Sequence, residues 1–221
     1  MKRSIITTAD GSKTIRIEDW NEQYHSVHGA IQEAYHVFIK NGLSQFRDRD
    51  LSILEIGFGT GLNAFITLLE SGKHNLNIDY TAVEAYPVGE EEWKQLDYTA
   101  ALNAQDQEPF FLKMHQIAWE EPCGITDRFR LWKQKKDFRD ILDQDGYDLI
   151  YFDAFGSRVQ PELWTELIFG SMYRALRPGG TLVTYAAKGA VRRAMQAVGF
   201  MVERLPGPPG KREMLRAIKK V

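Results

Sequence analysis

The chain has 221 residues, of which 43% are hydrophobic and 26% charged, and its formal net charge is −2. This length suits one α/β core with an extension, and the near-neutral charge excludes a polycation that binds nucleic acid over its whole surface. The single cysteine, Cys123, excludes an internal disulfide and a cysteine-based zinc cluster. No signal-peptide run or membrane-length apolar stretch is present, so we expect a cytoplasmic protein with no membrane partner.

Residues 1–45 predict an N-terminal extension, made of a hairpin and a helix, that packs on a main domain of residues 46–221. Ile5–Ile6 and Ile15–Ile17 are β-prone and flank the hairpin turn signal Asp10-Gly11. Residues 30–40 have helical periodicity, and the following Asn-Gly pair ends that helix. The histidines here have no metal-ligand spacing, so we expect no metal. The residues expected near the mouth of a pocket are Tyr24, His25, Ser26 and His28.

The stretch 51–63, LSILEIGFGTGLN, predicts the first strand, turn and helix of a nucleotide-binding α/β sheet. Gly57, Gly59 and Gly61 allow a tight turn and a close approach of the backbone to a ligand. Free amide N–H groups at the start of the following helix suit polar ligand atoms. The three glycines have the spacing G-x-G-x-G, whereas the dinucleotide-binding fingerprint is G-x-G-x-x-G, and Glu55 precedes the glycines. A carboxylate is favourable beside a sulfonium or ammonium and unfavourable beside a pyrophosphate.

An acidic residue followed by G-x-G-x-G resembles motif I of the class I S-adenosylmethionine-dependent methyltransferases. The resemblance implies that Glu55 and the glycine loop, with Phe58 and Asn63, hold the methionine end and the sulfonium of S-adenosylmethionine. It also implies a Rossmann-like α/β fold, with a mostly parallel seven-stranded sheet and helices on both faces. The alternative is an ordinary glycine-rich turn.

Two further carboxylates are candidates for cofactor binding. Residues 78–83 predict a second strand, and Glu84 follows it at the spacing where such sheets place an acid on the ribose hydroxyls. A short strand is expected at 129–131, after a region of helices and loops over 86–121. The family resemblance makes Asp137 the candidate for the adenine amino group, with Asp140 weaker. A strand-end glutamate and a helix N-cap are the alternatives for Glu84 and Asp137.

The stretch 147–155, YDLIYFDAF, predicts a buried strand that ends at Asp153. Ligands bind at the carboxyl ends of parallel strands, so Asp153 should face the same crevice as Gly57 and Glu84. A carboxylate there can orient a nucleophile and take its proton. Beyond it we predict a helix at 161–176, a turn at 177–180 and a strand at 181–185. A helix at 189–198 and closing strands at 200–205 and 211–218 complete the prediction.

A closer resemblance, to the MnmC-like tRNA methyltransferases, covers the chain from about residue 20 to its end. It rests on the segments 55–63 (EIGFGTGLN), 83–87 (VEAYP), 153–155 (DAF), 161–165 (PELWT), 177–182 (RPGGTL) and 210–214 (GKREM). It implies methylation of the aminomethyl group on a wobble 2-thiouridine. Bifunctional members continue into a flavin-dependent oxidase, whereas this sequence stops at Val221, so we expect no flavin. Gly156-Ser157-Arg158 replaces the small residue and proline that the family pattern has after D-A-F.

The implied reaction makes Asp153 the catalytic base for a primary amine. Phe155 or Tyr185 could stack on a flipped-out base, although ordinary core packing is the alternative. Residues 188–221 carry nine Lys or Arg against two acids, which suits a phosphate-binding face for the anticodon region of tRNA. Within it, Lys188, Lys211 and Arg212 are the candidates for RNA contact, and a solvated basic tail is the bland alternative.

Two other functions remain open from sequence alone. The chain could methylate a small molecule or a protein amine. It could also be an inactive cofactor-binding subunit that recruits tRNA. The oligomeric state is not predicted.

Overall fold

The computed structural model describes residues 2–220. It begins with a small antiparallel sheet of three strands, β1 (Arg3–Thr7), β2 (Lys13–Ile17) and β3 (Glu22–Gln23). The predicted hairpin is confirmed, because Arg3 pairs with Ile17 and Thr7 with Lys13 across the Asp10-Gly11 turn. Gly11 has a φ of +84°, a conformation that glycine adopts without a steric penalty.

The predicted helix at residues 30–40 is present but changes its geometry halfway. Helix α1 (Ala30–Ala34) continues into a π-helical turn, Tyr35–Lys40. Phe38 from that turn packs against Tyr151 of the main sheet, with ring centroids 5.0 Å apart. The chain turns away at Gly42, where a Cβ would stand 2.5 Å from the Phe38 carbonyl oxygen. Glycine at position 42 therefore allows the chain to leave the helix while its backbone packs closely against that of Phe38.

The main sheet has eight strands in the order β10-β11-β9-β8-β4-β5-β7-β6. The strands are β4 (Arg49–Ile56), β5 (Leu76–Val83), β6 (Cys123–Thr126), β7 (Phe129–Gln134), β8 (Tyr147–Phe152), β9 (Leu176–Thr184), β10 (Met201–Pro206) and β11 (Glu213–Ile218). The five central strands are parallel, and β6, β10 and β11 pair antiparallel at the edges. The prediction of seven strands was wrong by one, since β6 is a short edge strand whose Gly124 obscures a β pattern.

In the described part of the chain, residues 2–220, six helices follow α1. They are α2 (Leu62–Ser71), α3 (Glu90–Trp93), α4 (Tyr98–Ala101), α5 (Glu108–Gln116), α6 (Glu166–Ala175) and α7 (Gly189–Ala197). The helix predicted from Pro161 is divided, because Thr165 is extended and separates a 3-10 turn, Pro161–Trp164, from α6. The predicted Arg-Pro-Gly-Gly turn lies inside β9 as an irregularity: Leu176 pairs with Tyr147, but Thr181 already pairs with Leu149.

The register of the central strands positions the functional loops. Ile56, the last residue of β4, pairs with Val83 of β5 and with Phe152 of β8. Gly57, Glu84 and Asp153 each follow one of these three strands, so they emerge at one level of one sheet edge. Two buried apolar layers cover the sheet faces and make this edge rigid. Among the helices described for residues 2–220, none has the length and apolarity needed to cross a membrane.

Candidate active site

A cavity of about 400 Å³ lies at the carboxyl ends of the central strands. Its walls come from the glycine loop, the ends of β5 and β8, the segment 137–139 and the N-terminal sheet. This volume is within the range of small-molecule and cofactor sites. The expectation that the early segment borders a pocket is confirmed, since its wall includes Tyr24, His25, Ser26 and His28.

The glycine loop forms one side of the cavity. The N–H groups of Gly57 and Phe58 both donate to the Val83 carbonyl, at 2.9 and 3.2 Å, which ties the loop to β5. Gly57 has a φ of +93°, and a Cβ there would lie 3.0 Å from the Asp153 carbonyl oxygen. Only glycine fits this crossing without strain. Phe58 and Gly59 also line the cavity.

Glu84 is held at the cavity wall by backbone donors. Its Oε2 accepts from the Gly59 N–H at 3.1 Å, and its Oε1 accepts from the Tyr86 N–H at 2.9 Å. Burial raises the pKa of Glu84, while these two backbone hydrogen bonds and Arg3 lower it. Each carboxylate oxygen retains a lone pair, so the group can accept from a ribose diol. The chemistry and position of the Glu84 carboxylate fit the nucleoside part of S-adenosylmethionine.

Asp137 lies in the cavity wall and also caps a 3-10 turn. Its Oδ1 accepts from the Arg139 N–H at 2.9 Å, and its carboxylate forms an ion pair with the Arg139 guanidinium at 2.8 Å. The Arg139 side chain lowers the pKa of Asp137. Asp137 can therefore cap the turn and line the cavity at the same time, and its contact with adenine stays a prediction.

Asp153 lies at the centre of the cavity wall, directly after β8. The Asn63 side-chain amide donates to its Oδ2 at 2.8 Å. The pKa of Asp153 is raised to about 7, because burial and the Glu33 carboxylate raise it by more than the Asn63 hydrogen bond and Lys211 lower it. A carboxyl group with a pKa near neutrality can both hold and release a proton at physiological pH. The geometry thus supports the predicted role of Asp153.

Aromatic side chains line the cavity close to Asp153 in the chain. Phe155 meets Trp20 and Tyr24 edge to face, with ring centroids 5.6 and 4.9 Å apart. Tyr185 lines the same region, and its hydroxyl donates to the Ala154 carbonyl at 2.8 Å. Both predicted aromatic candidates therefore border the cavity, and their exposed ring surface suits a planar base.

Lys211 was expected to contact a phosphate at the protein surface, but it lies in the cavity wall. Its ammonium lies 3.8 Å from the centroid of the Tyr185 ring and forms an ion pair with the buried Glu33. Glu33 also accepts from the Ser26 N–H at 2.8 Å. Because this lysine is held by a carboxylate and a ring inside the cavity wall, it is not available to reach an RNA backbone in this arrangement.

The positive C-terminal segment is partly neutralised by ion pairs. Four of its cations pair with carboxylates: Arg204 with Glu213, Arg216 with Glu203, Lys219 with Asp145 and Lys211 with Glu33. The other five cations of residues 188–221 make no ion pair within residues 2–220. They are Lys188, Arg192, Arg193, Arg212 and Lys220. Lys188 precedes α7 and donates to Ser157 Oγ at 3.0 Å, at the rim of the cavity. Arg212 is exposed and outside the cavity wall.

Two predicted cofactor residues lie outside the cavity wall, which corrects the expectation of direct contact. Glu55 is fully buried in β4, where strand alternation turns its side chain toward the face covered by α2. Gly61 caps α2 with a φ of +73°, and a Cβ there would lie 3.0 Å from His115 Nε2. Its role is to permit close packing beneath the loop.

Several residues of the site were missed by sequence reasoning. Glu33, Trp20 and Arg3 line the cavity from the N-terminal segment, and no local motif marks them. Asn63 was assigned to the cofactor, whereas the structure places its amide on Asp153. Arg158, noted only as a departure from the family pattern, donates to the Trp20 and Asn21 carbonyls and pairs with Glu22 at 2.8 Å.

Comparison with known proteins agrees with this geometry. A family model described as S-adenosyl-L-methionine-dependent methyltransferase matches residues 123–220. The crystal structure of MNMC2 from Aquifex aeolicus superimposes with a TM-score of 0.74 at 24% identity, over 98% of this chain and 69% of that chain. Spermidine synthase from Thermotoga maritima, at 13% identity, has a TM-score of 0.58 over 100% of this chain and 72% of that one. The chain therefore shares the fold of these two proteins, and its residues 123–220 resemble an S-adenosyl-L-methionine-dependent methyltransferase.

The particular likeness is to the MnmC proteins, as the sequence motifs predicted. The tRNA 5-methylaminomethyl-2-thiouridine biosynthesis bifunctional protein MnmC of Cupriavidus necator is 32% identical, over 88% of this chain and 31% of that protein. The protein of the same name from Aromatoleum aromaticum is 32% identical over 89% of this chain and 32% of its own length. The chain therefore spans about a third of the length of these relatives.

Proposed function

We propose that this protein transfers a methyl group from S-adenosylmethionine to the aminomethyl group of a wobble 5-aminomethyl-2-thiouridine in tRNA. The observation that carries the proposal is the position of Asp153. It lines the same cavity as Glu84, which suits the cofactor, and as Phe155 and Tyr185, which suit a base. The similarity to the MnmC proteins supports the choice of substrate.

S-adenosylmethionine supplies an activated methyl group on a sulfonium, which is a good leaving group. Glu84 would hold its ribose, with Asp137 beside the adenine, and the glycine loop would hold its methionine end. Asp153 would accept a hydrogen bond and then the proton of the substrate amine, because an ammonium has no lone pair with which to attack. Such general-base assistance is worth about 10²–10⁴-fold in rate. Phe155 and Tyr185 would hold the base so that its amine faces Asp153.

The N-terminal extension, residues 1–45, would close the substrate side of the site on the catalytic domain, residues 46–221. The anticodon region of the tRNA would lie over the unpaired cations beside the cavity rim. We define Lys188, Arg192 and Arg193 as the rim cations; they occupy the start of α7, and Lys188 contacts Ser157 of the loop after Asp153. A substrate of this kind agrees with a cytoplasmic location.

The test is a transfer assay with labelled S-adenosylmethionine and tRNA from a strain that lacks this activity. Nucleosides from the digested tRNA are then identified by mass spectrometry. We expect the methyl group on 5-aminomethyl-2-thiouridine, giving the methylaminomethyl product. Cofactor binding without transfer to any tRNA nucleoside would contradict the proposal. It would favour a small-molecule or protein amine as substrate, or an inactive recruiting subunit.

Asp153→Asn is the decisive variant in the same assay. We expect turnover to fall by about 10²–10⁴-fold, because the amide cannot take a proton. Binding of S-adenosylmethionine, measured by calorimetry, should stay near the wild-type value. The exposed Asp127→Asn serves as the control. Wild-type turnover in Asp153→Asn would remove Asp153 from the mechanism.

A further inference from the structure

A buried polar cluster lies next to Asp153, and the reaction as described so far does not use it. It consists of Glu55 on β4, Asn63 on α2 and Tyr80 on β5. All three side chains are at most 4% exposed. Within residues 2–220, four of their atoms have no hydrogen-bond partner: both Glu55 carboxyl oxygens, Asn63 Oδ1 and the Tyr80 hydroxyl. Unsatisfied buried polar atoms are rare in folded proteins, so four in one place require an explanation.

The charge environment favours the neutral form of the Glu55 carboxyl group. None of the ion pairs formed within residues 2–220 includes it. The charged groups that face it, Asp153 and Glu84, are both acids. Burial raises the pKa of Glu55 well above its usual range and Asp153 raises it further, although Asn63 and Tyr80 lower it. An isolated buried carboxylate is far costlier than a protonated carboxyl group.

Protonation of Glu55 would supply the hydrogen that this cluster lacks. A carboxylic acid has one O–H donor and one carbonyl acceptor. The Tyr80 hydroxyl can then donate to the Glu55 carbonyl, and the Glu55 O–H can donate to Asn63 Oδ1. These two hydrogen bonds would use all four atoms. The Asn63 NH₂ group continues the chain, because it donates to Asp153 Oδ2 at 2.8 Å.

We propose that Glu55, as a neutral acid, is a positioning residue that fixes the orientation of the Asn63 amide and through it the hydrogen bond to Asp153. An asparagine amide presents either an acceptor or a donor, depending on which way it is flipped. A donor at Asn63 Oδ1 allows one orientation only, the one with NH₂ toward Asp153. The inference rests on the proposed function for its catalytic meaning, but the hydrogen-bond chain itself can be tested without turnover.

The first experiment is carboxyl ¹³C NMR of the protein without ligands, over a pH series. We expect the Glu55 signal to be that of a protonated carboxyl group at pH 7. A signal of an ionised Glu55 at pH 7 would overturn the proposal. The same spectra give the pKa of Asp153, on which Glu33 and Lys211 also act from the neighbouring elements. This readout does not depend on whether tRNA is the substrate.

The second experiment compares variants by the pKa of Asp153. Glu55→Gln retains a donor for Asn63 and an acceptor for Tyr80, so the pKa should stay at the wild-type value. Glu55→Leu and Asn63→Leu remove the fixed donor, and the pKa should rise by about one unit or more, since a hydrogen bond to the carboxylate is lost. Thr67→Val, which removes a buried hydroxyl one turn further along α2, is the control and should not move it.

Turnover then separates this proposal from the proposed function. In the tRNA assay, the acidic limb of the pH–rate profile should move to higher pH in Glu55→Leu and stay in place in Glu55→Gln. If no tRNA methylation occurs in the wild type, the function proposed above fails, but the NMR result still decides the hydrogen-bond chain. If Glu55→Leu does not fold, Glu55→Gln and the wild-type spectrum decide it. An increase in the pKa of Asp153 in Glu55→Gln equal to that in Asn63→Leu would overturn it.

Discussion

At the scale of single residues, burial raises the pKa of the Asp153 carboxyl group, and this change affects both its proposed catalytic role and the stability of the protein. Its pKa of about 7 in the folded protein lies above its ordinary 3.8, mainly because the carboxyl group is buried. The folded protein therefore binds this proton more tightly than the unfolded chain. The associated stability is fully present below about pH 4 and is lost as pH rises through 7.

This linkage predicts that Asp153→Asn makes the protein more stable at pH 8. The pKa difference corresponds to an upper estimate of about 4 kcal/mol above both pKa values. The gain over the wild type should shrink toward zero near pH 4. Urea unfolding of both proteins at pH 4, 6 and 8 measures it, with the exposed Asp127→Asn as control. A stability difference independent of pH would contradict the raised pKa.

At the scale of elements, the loop after β4 depends on the close crossing of two backbones. Gly57 combines a φ of +93° with a Cβ position 3.0 Å from the Asp153 carbonyl oxygen. We expect Gly57→Ala to cost about 1–2 kcal/mol from backbone conformation alone, and to displace Asp153 so that turnover falls. Unfolding and transfer assays measure the two effects.

Gly72 provides a matched control for that substitution. It follows α2 with a φ of −63°, and a Cβ there would meet nothing within 4 Å. Gly72→Ala should therefore be neutral or stabilising by up to about 1 kcal/mol. Equal losses in the two variants would show that the crossing at Gly57 is not a special constraint.

The Arg158 side chain connects the loop after β8 to the N-terminal segment. Arg158 donates to the Trp20 and Asn21 carbonyls and pairs with Glu22. Trp20 packs on Phe155 in the substrate end of the cavity. We expect Arg158→Ala to raise KM for the nucleic-acid substrate several-fold, with little change in S-adenosylmethionine affinity.

The control for Arg158 is Arg130→Ala, since Arg130 pairs with Asp79 on a different part of the surface. Steady-state kinetics with each substrate varied separately make the comparison. A change in cofactor affinity equal to the change in KM for tRNA would indicate that Arg158 supports the whole cavity rather than its substrate side.

At the scale of the whole molecule, the location of unpaired charge matters more than the net charge of −2. The rim cations have no carboxylate partner within residues 2–220, and Lys188 adjoins the cavity mouth. We expect Arg192→Gln with Arg193→Gln to weaken tRNA binding and to reduce the slope of log affinity against log salt by about 2.

Arg204→Gln with Arg216→Gln is the matched control, because both arginines are already paired with glutamates of the same hairpin. This double variant should change the salt slope less. Filter binding over a range of salt concentrations measures both. An equal effect of the two double variants would place the RNA-binding surface elsewhere.

The sequence by itself determined the central features of the fold. The apolar runs before Gly57, Glu84 and Asp153 identified three neighbouring strands, and the position of each functional residue at a strand end placed all three at one edge. These features are local, because a buried strand and a tight glycine turn each depend on a few adjacent residues. Glu55 and the glycine spacing carried the family resemblance that implied the cofactor class, even though Glu55 itself lies outside the cavity wall.

The tertiary structure decided how distant residues meet. Asn63 and Asp153 are 90 residues apart, and Glu33 and Lys211 are 178 apart, yet each pair is in contact. The ion pairs that neutralise part of the C-terminal charge and the eighth strand, β6, are likewise set by packing. Side-chain partners of this kind depend on which faces of remote elements come together, and a local pattern of residue types does not contain that information.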